Sequence, residues 1–108
     1  MRFGLKESMI GRVNSVFDKY PEIEEVIIYG SRARGSYREG SDIDMTLKGT
    51  GLTDSIRSKV WLAIDELNTP YLFDISIYNH LHSPGLEEHI DRVGKLFYRK
   101  EVLTAARE

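Results

Sequence analysis

An apolar, β-branched run, Val26-Ile27-Ile28-Tyr29, stops on Gly30-Ser31, and after ten more residues comes Asp42-Ile43-Asp44. No other stretch limits the possible folds so strongly. The run reads as a buried strand. Its end in Gly-Ser, opening a short helix, presents free backbone N–H groups that suit an anion. Side chains alternate along the following strand, so Asp42 and Asp44 leave from one face, their Cα atoms roughly 6.6 Å apart. Ile43, Met45 and Leu47 then point the other way, into the core. Two like charges that close repel each other unless a cation lies between them, and a hard divalent ion with oxygen ligands fills that role.

The rest of the chain supplies helices around these strands. From Lys6 to Lys19, Met9, Val13, Val16 and Phe17 follow an amphipathic helical period, stopped by Tyr20-Pro21. The first strand covers about Glu25 to Tyr29, a short helix Arg32 to Tyr37, and the second strand Asp42 to Leu47, closed at Gly49-Thr50-Gly51. A helix with Thr53 as its N-cap runs from Asp54 to Leu67 on the stripe Ile56, Val60, Ile64 and Leu67. Tyr71 to Tyr78 reads as a third strand. A last helix opens at Ser83-Pro84 on the stripe Leu86, Ile90, Val93 and Phe97, with acids early and Lys95, Arg99 and Lys100 late. Beyond Lys100 the tail either continues that helix or frays. The order implies an α/β domain with a small, mostly buried sheet of about three strands, the third of undecided direction.

At 108 residues the chain is expected to form a single domain, 1–108, with one core and no second lobe. A net charge of −2 and a pI near 5.9 argue against a dedicated nucleic-acid binder. The absence of cysteine excludes disulfides and thiolate metal sites. No apolar run approaches membrane-spanning length and the first residues lack a signal-peptide core, so a cytoplasmic protein is expected.

Asp74 interrupts the apolar run Tyr71 to Tyr78. A carboxylate in mid-strand is expensive unless paired or metal-bound. If the second and third strands are neighbours, Asp74 joins Asp42 and Asp44. Three such groups around one or two divalent ions, beside a triphosphate, suit in-line attack of a hydroxyl on phosphorus, with Asp74 binding an ion or accepting the proton. The competing structural readings are a capped turn for Gly30-Ser31, an edge-strand polar face for Asp42 and Asp44, and an arginine-paired carboxylate for Asp74. Other nucleotide motifs fail: Gly30 and Gly35 have P-loop spacing, but Ser36-Tyr37 stands where Lys and Ser or Thr belong. His80, His82 and His89 lack metal-ligand spacing and read as surface or capping residues. Trp61, Leu62 and Tyr71 read as core or partner-interface residues.

Gly30-Ser31, Asp42-Ile43-Asp44 and Asp74 resemble the signature of the polymerase-beta-like nucleotidyltransferase superfamily. Gly30-Ser-Arg-Ala-Arg-Gly35 with Ser41-Asp-Ile-Asp44 is similar, more narrowly, to the minimal nucleotidyltransferase (MNT) domains, over almost the whole chain. The resemblance implies the nucleotidyltransferase fold and an ATP- and Mg²⁺-dependent enzyme, with two ions held by Asp42, Asp44 and Asp74. Gly30, Ser31, and Arg32 or Arg34 would hold the triphosphate. It also implies an antitoxin role in a hetero-oligomer with an all-helical HEPN toxin, to whose tyrosine AMP is transferred. Three other roles stay open at this point: a binding module that occludes the toxin without catalysis, a transferase acting on a small molecule such as an antibiotic, and a nucleotide sensor that binds ATP without turnover.

Overall fold

Apolar stripes and alternations fold where their periods demand, with one exception. The computed structural model describes residues 1–101. Helix α1, Glu7–Phe17, buries Met9, Ile10, Val13, Val16 and Phe17. Helix α3, Asp54–Asp65, buries Val60 and Ile64, and the Thr53 hydroxyl accepts from the Ile56 amide at 3.2 Å as its cap. Between them lie β1, Glu25–Tyr29, the single turn α2, Ser31–Arg34, and β2, Ile43–Lys48. Strand β3, Phe73–Ile77, leads into a 3₁₀ turn, Tyr78–His80, and helix α4, Pro84–Val93. Ser83 caps α4 by accepting from the Leu86 amide at 3.3 Å, with proline at the first turn as expected.

The exception is the end of α4. The stripe that includes Phe97 predicts a helix through Lys100, but the helix stops at Val93 and Lys95–Arg99 forms a fourth strand, β4. Gly94 makes the stop and the return possible. A Cβ there would meet the Ile90 carbonyl oxygen at 2.5 Å and Ile27 Cγ2 at 2.6 Å, so only glycine lets the backbone press onto β1. The tail beyond residue 101 lies outside the described residues.

The sheet order is β3-β2-β1-β4. β1 is antiparallel to both β2 and β4, while β2 and β3 run parallel, which settles the direction left open by pattern. One face carries Val26, Ile28, Ile43, Met45, Leu47, Ile75 and Ile77 into a core shared with α1 and α3. Fully buried side chains such as Leu47 each contribute about 1.5–3 kcal/mol of apolar burial. On the opposite face α4 packs against β1.

Candidate active site

The opposite face is where the chemistry-bearing side chains collect. In the parallel β2–β3 register Asp44 lies directly beside Asp74, and Thr46 beside Ser76. In the antiparallel register Asp44 lies beside Tyr29, the last residue of β1. Alternation along each strand therefore puts Tyr29, Asp44, Asp74, Thr46 and Ser76 on one face, as the same alternation puts Ile43, Met45 and Leu47 in the core. Ser76 donates its hydroxyl to Thr46 Oγ1 at 2.9 Å, forming a polar floor behind the two carboxylates.

Asp44 is half-buried, whereas Asp42 and Asp74 are exposed. Burial pushes the Asp44 carboxyl above its ordinary value, and the charges of Asp74 and then Asp42 push it further; His89 acts in the opposite direction. Burial also raises the Tyr29 hydroxyl, with Asp74 and Asp44 adding to it and a hydrogen bond from Ser76 opposing. The three acids thus act on one locus. No Lys or Arg stands within ion-pair distance of any of them among the described residues. Nor do three or more Asp, Glu or His side chains close up into a ready-made metal site among those residues.

The turn after β1 borders this locus closely. Gly30 adopts φ 74° and ψ −153°, a conformation open to glycine alone in practice, and starts α2. A Cβ at Gly30 would sit 2.6 Å from Asp44 Oδ2, so the absence of a side chain lets the turn approach the carboxylate. Ser31 is the first residue of α2 and Arg34 the last.

The two arginines of the turn part company. Arg34 is exposed and makes no hydrogen bond or ion pair through its side chain among the described residues. Arg32 is buried, and its guanidinium donates to the carbonyls of Ser41 and Phe3. Of the two arginines left open as phosphate contacts, Arg32 has each guanidinium nitrogen engaged by main chain, whereas Arg34 does not among the described residues. Tyr29, Thr46, Ser76 and His89 border the carboxylates, and none of them was read from the sequence as a site residue. The polar alternation Asp44-Thr46 and Asp74-Ser76 was a usable signal. His89 carried none, because its place, edge-on to Tyr29 with ring centroids 6.2 Å apart, depends on how α4 docks. His80 and His82 are exposed, as expected; of the residues read as core or partner interface, Tyr71 packs against the core while Trp61 and Leu62 are exposed.

Residues 12–102 match the family model described as polymerase beta, nucleotidyltransferase. The chain belongs to that family. The fold carries the same message. A chain of a toxin–antitoxin complex solved with AMP-PNP superposes with TM-score 0.68 at 19% identity, covering 90% of this chain and 76% of the other. A chain of a complex between tri-AMPylated Shewanella oneidensis HEPN toxin and MNT antitoxin gives 0.66 at 14% identity, covering 89% and 74%. A protein named as a candidate minimal nucleotidyltransferase gives 0.63 at 28% identity, covering 88% of this chain and 95% of its own. Among proteins of curated function, none matches in sequence. This nucleotidyltransferase domain has a mixed sheet of four strands rather than three, flanked by helices. No helix among the described residues is long and apolar enough to cross a membrane.

Proposed function

We propose that this nucleotidyltransferase transfers AMP from ATP to a hydroxyl of a protein partner, a tyrosine of a helical HEPN toxin, and so acts as its antitoxin. The observation that carries the reading is Asp44 beside Asp74 in register, with no Lys or Arg among the described residues at ion-pair distance and the Gly30 turn against Asp44. The similarity of the fold to MNT antitoxin complexes supports the choice of partner.

Carboxylate oxygens are hard donors, and Mg²⁺ is commonly held by one or two of them together with substrate phosphates and water. Asp44 with Asp74 or Asp42 fits that requirement, and like-charge crowding at Asp44 is relieved by a cation. When bound, Mg²⁺ neutralises phosphate charge and lowers the pKa of a coordinated hydroxyl. The chain's own residues do the rest. The Gly30-Ser31 backbone and the Ser31 hydroxyl hold the terminal phosphates, and Arg34 adds a charge-assisted contact to them. Asp74 takes the proton of the incoming hydroxyl. That oxygen bonds to the α-phosphorus as the bond to the bridging oxygen of pyrophosphate breaks, and pyrophosphate leaves with the electron pair.

Purified chain and a short helical partner, incubated with Mg²⁺ and ATP labelled at the α-phosphate, test this. Label on the partner is the expected result. Label on neither protein contradicts transfer. If an Asp42→Asn, Asp44→Asn double variant still neutralised the toxin in cells, occlusion rather than catalysis would be sufficient.

A further inference from the structure

Arg32 is the one charged side chain buried among the described residues, 2% exposed, and no carboxylate lies within ion-pair distance of it there. A buried cation without a counter-charge is costly unless its donors are satisfied. Here the main chain engages each of the three guanidinium nitrogens. Nε and Nη2 both donate to the Ser41 carbonyl, at 3.1 and 2.9 Å, and Nη1 donates to the Phe3 carbonyl at 2.8 Å. The rings of Tyr37 and Tyr71 stand 5.1 and 4.8 Å from the guanidinium carbon, within cation–π range.

Four segments, two of them adjacent in sequence and the other two distant, therefore meet on one guanidinium. The first is a tight turn at the start of the chain. Arg2 and Leu5 exchange backbone hydrogen bonds at 3.0 and 2.8 Å around Phe3 and Gly4, both at positive φ. Gly4 lies against Tyr37, where a Cβ would come 2.4 Å from the ring. The second is α2, which carries Arg32 itself immediately after Ser31. The third is the loop from Gly35 to Ser41, drawn together by the Arg38 amide donating to Ser41 Oγ at 2.8 Å and the Ser41 amide donating to the Arg38 carbonyl at 3.0 Å. The fourth is Tyr71, on the approach to β3. The site residues follow directly: Asp42 is next to Ser41, and Asp74 lies three residues beyond Tyr71.

We infer that Arg32 is a positioning residue, one that fixes the Ser41 backbone, and with it the Asp42 carboxylate, relative to Asp44 and Asp74 without touching the nucleotide. Lysine cannot substitute, because a point ammonium neither grips one carbonyl through two nitrogens nor lies flat between two rings. The catalytic half of the claim rests on the proposed nucleotidyl transfer; the structural half does not.

The test uses the full chain as Arg32→Lys and, in case that variant fails to fold, Tyr37→Leu, which removes one exposed wall of the sandwich and leaves the guanidinium. Amide hydrogen exchange at Ser41 reads the pin directly. Exchange there is expected to quicken by about tenfold or more in Arg32→Lys, with β1 and β2 amides unchanged. In Tyr37→Leu the gain is about twofold to fivefold. Mn²⁺ affinity, read by electron paramagnetic resonance, is expected to fall about tenfold to a hundredfold in Arg32→Lys, as for other residues that support metal ligands. With transfer assayed, kcat falls while KM for ATP moves by less than about threefold. Unchanged Ser41 exchange in the folded variants overturns the inference, and so does a raised KM at unchanged kcat, which would make Arg32 a nucleotide contact. If the wild-type chain transfers nothing, the reading of function fails, yet exchange and Mn²⁺ affinity still decide the role of Arg32.

Discussion

Two charged groups, Arg32 and the Asp44–Asp74 pair, are treated in opposite ways. The Arg32 cation is withdrawn from water and saturated by carbonyls and aromatic faces. The Asp44–Asp74 pair lies on the opposite face of the sheet from the core, with no Lys or Arg among the described residues paired to it. A satisfied buried charge strengthens the fold where it is, whereas a like-charged pair weakens it and persists only where binding repays the strain. The contrast separates scaffold from site.

The comparison makes its largest claim at Asp74. Asp74→Asn should lower AMP transfer about 10²–10⁴-fold, the usual range for loss of a positioned proton acceptor. The same change should raise the unfolding free energy by about 0.2–1 kcal/mol, because like charges opposed on paired strands are destabilising. Labelled-ATP assays and urea unfolding read the two, and a fall in both would erase the distinction. At Arg32 the signs agree instead. Arg32→Met leaves the Ser41 and Phe3 carbonyls without their donors and should cost about 2–4 kcal/mol of stability in urea. Arg34 sharpens the comparison from within the same turn. Arg34→Gln should leave stability within about 0.5 kcal/mol. It should weaken binding of an ATP analogue roughly tenfold in calorimetry, the loss of one charge-assisted contact.

The smallest expected effect is a pH dependence. In the metal-free chain Asp44 holds its proton more tightly than the unfolded chain does, where the ordinary value is 3.8. The stability tied to that proton is complete below 3.8 and is lost as pH rises through the raised native value. Thermal unfolding of the wild-type chain and Asp44→Asn should therefore converge at acid pH and separate above it, with the variant the more stable.

What could be read in the sequence divides along the same line. Period and local punctuation sufficed for α1, α3, the first three strands and the caps at Thr53 and Ser83, because these depend on neighbours a few residues away. Asp44 and Asp74 share a face for the same reason, a strand's alternation. β4 escaped because Leu86, Ile90, Val93 and Phe97 keep a helical spacing across Gly94. A register shift between Val26 and Ile27 also buries Phe97 and Tyr98 in succession, erasing the strand's own alternation. Gly94 was the available clue. The burial of Arg32 had no local clue at all, since its partners come from positions 3, 37, 41 and 71 and converge only after the chain has folded.

The central claim is that the Asp44–Asp74 pair is a cation site next to a nucleotide. The most direct test is the melting temperature of the wild-type chain and of Asp44→Asn, with and without Mg²⁺ plus a non-hydrolysable ATP analogue. Ligands that bind only the native state raise it. A clear rise in the wild-type chain that requires both Mg²⁺ and the analogue, and vanishes in Asp44→Asn, is the expected result. No rise in the wild-type chain, or an equal rise in both proteins, would contradict the account.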